Sequence, residues 1–567
     1  MTGPPASVTE PGALRQAARG IGQAAALIGA ITVVARVVGF GRQLVFAHTV
    51  GSFCLGTAYT TANQVPNIIY DVVLGGALTS AVVPVLAGAA ARRGTREAGA
   101  GDAAGPAGAT GAAGAAVGAD AEASQIASAL LTWTVVLLAP VSLVIALTAR
   151  PLASLLLAGV PSCERAAAVT VSSRMLVVFA PQILLYGLAV VLYGILQAHR
   201  RFTAPALAPV VSSLVVIAAY LAFVPLGAAH RNDLSGLSMP AELVLSAGTT
   251  AGVAALVLTA VGPAARLRLR LRPTLHFPPG VAQRVRGLAA VGVTTLIAQN
   301  AALVAVIVLA NSHQGRGAVV LYNYGWQMFF VPYAVLAVPI ATSVFPVLSA
   351  ADGPGLDRTA ASSTRAAMLV SWLGAALLAG AAWPAARLFV SHPEQARQLA
   401  VTFAAFAPGL VGYGLAAGLS RVLFASGRSR VAAVALVGGW LVVIAVDLVA
   451  VPLVQARWVV PVLALGNTAG LTFAGVALLG AVRATRGPAA LQGSARAAGA
   501  GLAGALAGAG AGALVSAGLR VTGFLPNAFV TLLACASAAA VFGAAVLILD
   551  GGDLRAVAAR AAGRWIR

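Results

Sequence analysis

The sequence contains no lysine, so all 36 of its basic residues are Arg. Acidic residues are scarce as well, 15 in 567, and charged residues make up only 9% of the chain, where a soluble domain carries about 25%. That scarcity excludes a water-soluble globular fold. With 59% hydrophobic residues, the chain is also too apolar to stay disordered. A soluble nucleic-acid binder is excluded too, because its basic surface would not accompany so much apolar sequence, and no nucleic-acid partner is expected. Cysteine is nearly absent. Cys54, Cys163 and Cys535 fit no metal spacing and are expected as small apolar core residues, not as a disulfide framework. There is no HExxH, no phosphate-binding glycine loop and no Ser-His-Asp set, and nearly all of the six His fall in or near loops. No catalytic residue, no metal and no cofactor is therefore expected, and the chain does not read as an enzyme.

What is present is long apolar sequence. A membrane helix needs about 20 predominantly apolar residues. Fourteen stretches qualify, near 25–50, 56–89, 125–149, 166–197, 204–228, 240–262, 287–311, 317–349, 366–391, 398–425, 431–453, 458–482, 497–519 and 527–549. They are too long for barrel strands and lack alternation, so an all-α polytopic membrane protein is expected. With the N-terminus placed in the cytoplasm, 24 Arg fall in cytoplasmic segments, 8 in outer loops and 4 within spans. This asymmetry predicts that both termini are cytoplasmic. No cleavable leader stands apart from the first span.

Short internal matches suggest duplication. Ser80–Leu86 resembles Thr342–Leu348, and Ile195–Ala198 resembles Val422–Ala425. The expected organisation is a cytoplasmic tail (1–24), an N-lobe of six spans (25–262), a connection (263–286), a C-lobe of six spans (287–482), a C-terminal helix pair (483–549) and a cytoplasmic tail (550–567). The Ala- and Gly-rich segment 90–124 reads as a flexible linker inserted in the first half. The Arg/Leu alternation at 266–272 reads as a solvated loop, a short strand or a segment lying on anionic headgroups. Paired halves are a recurring transporter architecture, with the substrate between them.

Ionisable residues inside a membrane are functional candidates, because lipid penalises charge. Span 2 carries Thr57, Thr60, Gln64, Asn67 and Asp71 at steps of three and four, hence on one helical face. Such a stripe either lines a cavity or bonds one helix to another; five polar positions ending in a carboxylate favour the cavity. Span 1 carries Arg36 and Arg42, about 9 Å apart along a helix and on different faces. Gly39 and Gly41 between them permit a bend toward a common space. The planar guanidinium donates two parallel hydrogen bonds, which suits phosphate. The plainer readings are pairing with Asp71 or snorkelling. Asn323 and Gln327 in span 8 and Gln299 and Asn300 in span 7 are candidates for the same cavity. Asp447 in span 11 is a candidate for ion coupling, and Arg174 and Arg421 lie near span ends, where each can snorkel.

These residues also carry a resemblance. Arg36–Arg42 (RVVGFGR), Val65-Pro66-Asn67 with Gly76-Ala77-Leu78 and Val83–Leu86, Gly194–Ala198 with Phe202 and Pro205–Pro209, Pro332–Ser349 and Leu423–Arg430 together resemble the MurJ/MviN lipid II flippases of the MOP exporter superfamily. No single motif is diagnostic, but the ordered series runs from span 1 to span 11. The resemblance implies two six-helix lobes plus two C-terminal helices around a cationic cavity. It also implies movement of an undecaprenyl-pyrophosphate-linked peptidoglycan precursor across the bacterial cytoplasmic membrane by alternating access. Arg36 and Arg42 match two of the family's cavity arginines. The implied partners are the polyprenyl-linked substrate, membrane lipids and the cell-wall synthesis machinery. The sequence departs from the family at Gln43 and Thr57, where acids are common, and at Tyr70-Asp71 and Gln327, where arginines are expected. Those departures leave open an exporter of another polyprenyl-linked glycan or a small cation, and a transport-deficient scaffold.

Overall fold

The computed structural model describes residues 11–72, 106–160, 163–199, 201–267, 269, 271–276, 281–337 and 353–550. Among these the regular structure is helical, with no strand, as lipid requires of a chain that must satisfy its own backbone hydrogen bonds. The first half contains α1 (Pro11–Thr49), α2 (Cys54–Tyr70), α3 (Pro106–Leu147), α4 (Ala149–Leu156), α5 (Arg165–Phe179), α6 (Gln182–Ala198), α7 (Thr203–Gly227) and α8 (Met239–Ala265). The second contains α9 (Val281–His313), α10 (Ala318–Pro332), α11 (Gly353–Gly380), α12 (Ala382–Phe389), α13 (Pro393–Phe406), α14 (Gly409–Ala425), α15 (Ser429–Ala450) and α16 (Val459–Arg486). The chain then continues into α17 (Ser494–Gly518) and α18 (Phe524–Leu549).

Among the described residues, 12 helical stretches are long and apolar enough to cross a membrane. They coincide with twelve of the expected spans. Spans 2 and 8 contain α2 and α10, and their remainders, 73–89 and 338–349, lie outside the described residues. Of the flexible linker expected at 90–124, residues 90–105 lie outside the described residues and 106–124 need correction. Helix α3 already begins at Pro106, because alanine is the strongest helix former and proline suits a first helical turn. The segment 271–276 forms neither strand nor free loop. Its backbone is pinned along α3, with Arg272 N–H donating to Ser128 Oγ (3.0 Å), Thr274 N–H to Thr132 Oγ1 (3.1 Å) and Trp133 Nε1 to Leu275 O (3.0 Å).

The two halves repeat one plan. Spans 4 and 10 each break at Phe-Ala-Pro, residues 179–181 and 406–408, where proline leaves no N–H for the helix to use. Helices α2 and α10 each pass into a π-helical turn, at 71–72 and 333–337. Helices α3 and α11 each run into a short helix, α4 and α12. Helices α7 and α8 pack on each other, α1 on α7 and α3 on α6; in the second half α15 packs on α16, α9 on α15 and α11 on α14. Without a hydrophobic drive between helices in lipid, close approach depends on small residues. A Cβ added to Gly412 would lie 2.2 Å from Leu471 O on α16, and one on Gly470 would lie 2.4 Å from Gly439 O on α15. Helices α17 and α18 pack together and against α11.

The lobes meet at the end of the bundle where α1 finishes. There Ser52 Oγ donates to Gln395 Oε1 (3.0 Å) and Gly317 N–H donates to Thr57 Oγ1 (2.8 Å). Asn311 Nδ2 donates to both Thr61 Oγ1 (3.1 Å) and Leu156 O (2.9 Å). Phe40 packs edge-on against Phe389, and Phe46 against Tyr324. At the same end a disulfide joins Cys54 to Cys163, Cα–Cα 5.8 Å. This corrects the expectation of unpaired core cysteines. The two are 109 residues apart in sequence, but α2 packs on α5, which brings the first residue of one beside the loop entering the other. Cys535 stays free.

Candidate functional site

Between the lobes, beneath this seal, lies a cavity of about 350 Å³. Arg42, Gln64, Asn67, Asp71, Asn323 and Gln327 all line it. The polar stripe of α2 serves both purposes weighed from sequence. Thr60, Gln64, Asn67 and Asp71 face the cavity, whereas Thr57, buried at the seal, holds the C-lobe through Gly317. Gln64 Nε2 donates to Asn323 Oδ1 (3.3 Å), joining the lobes at the cavity wall.

The two span-1 arginines separate. Helix α1 continues unbroken through Gly39 and Gly41, so the expected bend does not form. Arg42 lines the cavity, and its buried Nε has no hydrogen-bond partner. Arg36 is exposed and is not part of the lining. Neither pairs with Asp71 among the described residues. Arg42 and Asp71 are the charged side chains of the described lining, so their formal charges cancel. The described wall is therefore polar and less cationic than the resemblance implies.

Several lining residues carried no clear sequence signal. Tyr59, Tyr220 and Thr249 form a buried hydroxyl chain at the closed end. Thr249 gives its proton to Leu245 O, so Tyr59 donates to Thr249 (2.7 Å) and accepts from Tyr220 (2.9 Å). Gln299 reaches the cavity. Asn300 is buried and bonds to its own helix at Leu296 O (3.0 Å).

Asp447 lies outside this lining. It is 0% exposed, and both carboxylate oxygens lack a hydrogen-bond partner. It faces Gly466 of α16, where a Cβ would lie 1.8 Å from Oδ1. The next residue, Asn467, lines the cavity and donates to the Tyr322 hydroxyl. The acid thus sits behind the cavity wall, in a place where an ionised carboxylate is costly unless a proton or cation balances it. Arg174 does not snorkel freely. Its guanidinium grips Glu242 with two bonds, Nε to Oε1 (3.1 Å) and Nη2 to Oε2 (2.7 Å).

A bundle of membrane-crossing helices in two repeated lobes, sealed together at one end over a polar cavity, is the architecture of a membrane-transporter fold. The family model described as lipid II flippase MurJ matches residues 46–534. The chain belongs to that family. It is 26% identical over 329 residues to a lipid II flippase MurJ of Burkholderia cenocepacia, covering 57% of this chain and 56% of the relative. It is 26% identical over 269 residues to a probable lipid II flippase MurJ of Synechocystis sp., covering 46% of this chain and 44% of the relative. The chain thus spans about half the length of these relatives. Among solved structures, it is similar to a lipid II flippase MurJ in an inward closed conformation (TM-score 0.67, 16% identity, 92% of this chain and 98% of that one). It is also similar to an inward-facing multidrug resistance MATE family transporter of the MOP superfamily (TM-score 0.59, 13% identity, 79% and 95%). At these identities the structures support the fold alone.

Proposed function

We propose that the protein carries lipid II, the polyprenyl-diphosphate-linked precursor of peptidoglycan, across the bacterial cytoplasmic membrane. The observation that carries this reading is the unpartnered guanidinium nitrogen of Arg42 in a polar cavity between two lobes, in a chain of the lipid II flippase family. A buried donor without an acceptor invites an oxyanion, and Arg offers the fork that matches phosphate. In this account Arg42 takes the diphosphate, while Gln64, Asn67, Asn323 and Gln327 offer hydrogen bonds to sugar or peptide. Arg36 receives the headgroup nearer the end where α1 begins.

The arginine asymmetry supports a cytoplasmic position for that end, and on that reading the seal of Ser52, Thr57 and Asn311 closes the cavity from outside. Alternating access then requires those bonds to break and others to form at the opposite end. Asp447 is the proposed coupling site, exchanging a proton or cation as the lobes move. The retained cavity counts against a scaffold role. The balanced charge of Arg42 and Asp71 favours a cargo whose neutral sugars and amides supply much of the binding. Complementation tests the reading. The wild-type chain should restore growth to bacteria depleted of their own lipid II flippase, and an equally expressed Arg42→Ala variant should not. No growth with the wild-type chain would overturn the reading, and growth restored equally by both would remove Arg42 from it.

A further inference from the structure

A second cavity, of about 410 Å³, lies inside the C-lobe. Its wall is largely apolar and aromatic, and among the described residues its one cation is Arg421, a turn before the end of α14. Arg421 Nη1 is buried without a hydrogen-bond partner, and no acidic residue lines the space among the described residues. Ser420, on the same helix, and the facing Tyr333 and Tyr413, with ring centroids 4.5 Å apart, add hydroxyl groups to the wall. Gln299 and Trp440 line both cavities, so the two adjoin.

A guanidinium nitrogen shut off from water and from every acceptor is costly, and the cost is recovered when a ligand supplies the oxygen. Donors reaching in from α14 and from a facing π-helical turn suit a tetrahedral oxyanion better than a flat carboxylate, which offers two oxygens in one plane. The absence of an acid in the wall leaves the positive charge available to that ligand. We propose that this cavity is a second oxyanion subsite, distinct from Arg42, which holds a phosphate or diphosphate group through Arg421 and its neighbouring hydroxyls.

The assignment rests on C-lobe geometry and does not require the cargo to be lipid II. The two readings fail separately, one through Arg421 and the other through Arg42. The test uses the full chain in phosphatidylcholine nanodiscs, titrated calorimetrically with inorganic pyrophosphate in one arm and with membrane-incorporated farnesyl diphosphate in the other. The expected result is two classes of site. Arg421→Gln should weaken one class by about tenfold or more, and Arg42→Gln the other, since each removes a charge-assisted bidentate contact. An Arg421-dependent class seen with farnesyl diphosphate alone supports a lipid-borne phosphate, and one seen with both probes supports free phosphate as well. Unchanged affinity and stoichiometry for both probes in a folded Arg421→Gln variant would overturn the subsite. Should that variant not fold, the wild-type chain supplies the reading: pyrophosphate or farnesyl diphosphate should protect Arg421 from phenylglyoxal modification, measured by mass spectrometry, and no protection by either overturns the proposal.

Discussion

The seal between the lobes offers a quantitative test of alternating access. Thr57 and Asn311 account for three inter-lobe hydrogen bonds: Gly317 N–H to Thr57, and Asn311 to Thr61 and to Leu156 O. Hydrogen bonds between helices in membranes average about 0.6 kcal/mol each. A Thr57→Val/Asn311→Ala double variant should therefore destabilise the sealed state by about 2 kcal/mol, a factor of roughly 20 to 30 in the ratio of sealed to open molecules. Thr60 lines the cavity just beneath the seal and serves as a reporter. In a Thr60→Cys, Cys535→Ser background, the Cys54–Cys163 disulfide leaves the new thiol as the reactive one. A membrane-impermeant maleimide applied from outside should reach it only when the seal opens. Its alkylation rate should rise about 20-fold in the double variant. An unchanged rate in a variant that melts within a few degrees of its parent would refute the view that these bonds hold the outer gate.

Other predictions follow from the same geometry. Reducing or replacing the Cys54–Cys163 disulfide should lower stability by about 2–4 kcal/mol, read as a fall in melting temperature under reductant in the parent but not in a Cys54→Ser/Cys163→Ser variant. Arg174→Met strands the Glu242 carboxylate, which is 2% exposed, and should cost about 3 kcal/mol or more, whereas Arg174→Met/Glu242→Leu should cost less; thermal melts of both variants decide this. Gly466→Ala places a methyl 1.8 Å from Asp447 Oδ1 and must displace that acid. It should abolish any dependence of transport on pH or Na⁺ as fully as Asp447→Asn does. Retention of that dependence in both variants would remove Asp447 from the coupling scheme.

The spans were legible because lipid imposes a length and an apolarity that few other environments demand. The arginine count likewise predicts a sidedness. Within the site, the stripe on α2 was readable because steps of three and four place residues on one face whatever the neighbours do. The contrast between Arg36 and Arg42 was not readable. Six residues put them on different faces, and which face meets the cavity depends on how α1 packs against α7. Tyr59, Tyr220 and Thr249 carry no sequence signal because a tyrosine in an apolar helix is ordinary core sequence until its hydroxyl finds a partner from another helix. The disulfide was invisible for a related reason: its two cysteines become neighbours only through the packing of α2 on α5. The helix breaks at Pro181 and Pro408 are masked within spans 4 and 10 because hydropathy continues across them.

The central claim is that this chain moves lipid II and that Arg42 binds the diphosphate. Reconstituted liposomes with fluorescent lipid II in one leaflet measure both at once. The account predicts protein-dependent appearance of lipid II in the other leaflet, lost in Arg42→Ala at equal reconstitution and with an unaltered melting temperature. Equal translocation by the wild-type and Arg42→Ala proteins, or none by either in liposomes where a known lipid II flippase is active, would contradict it.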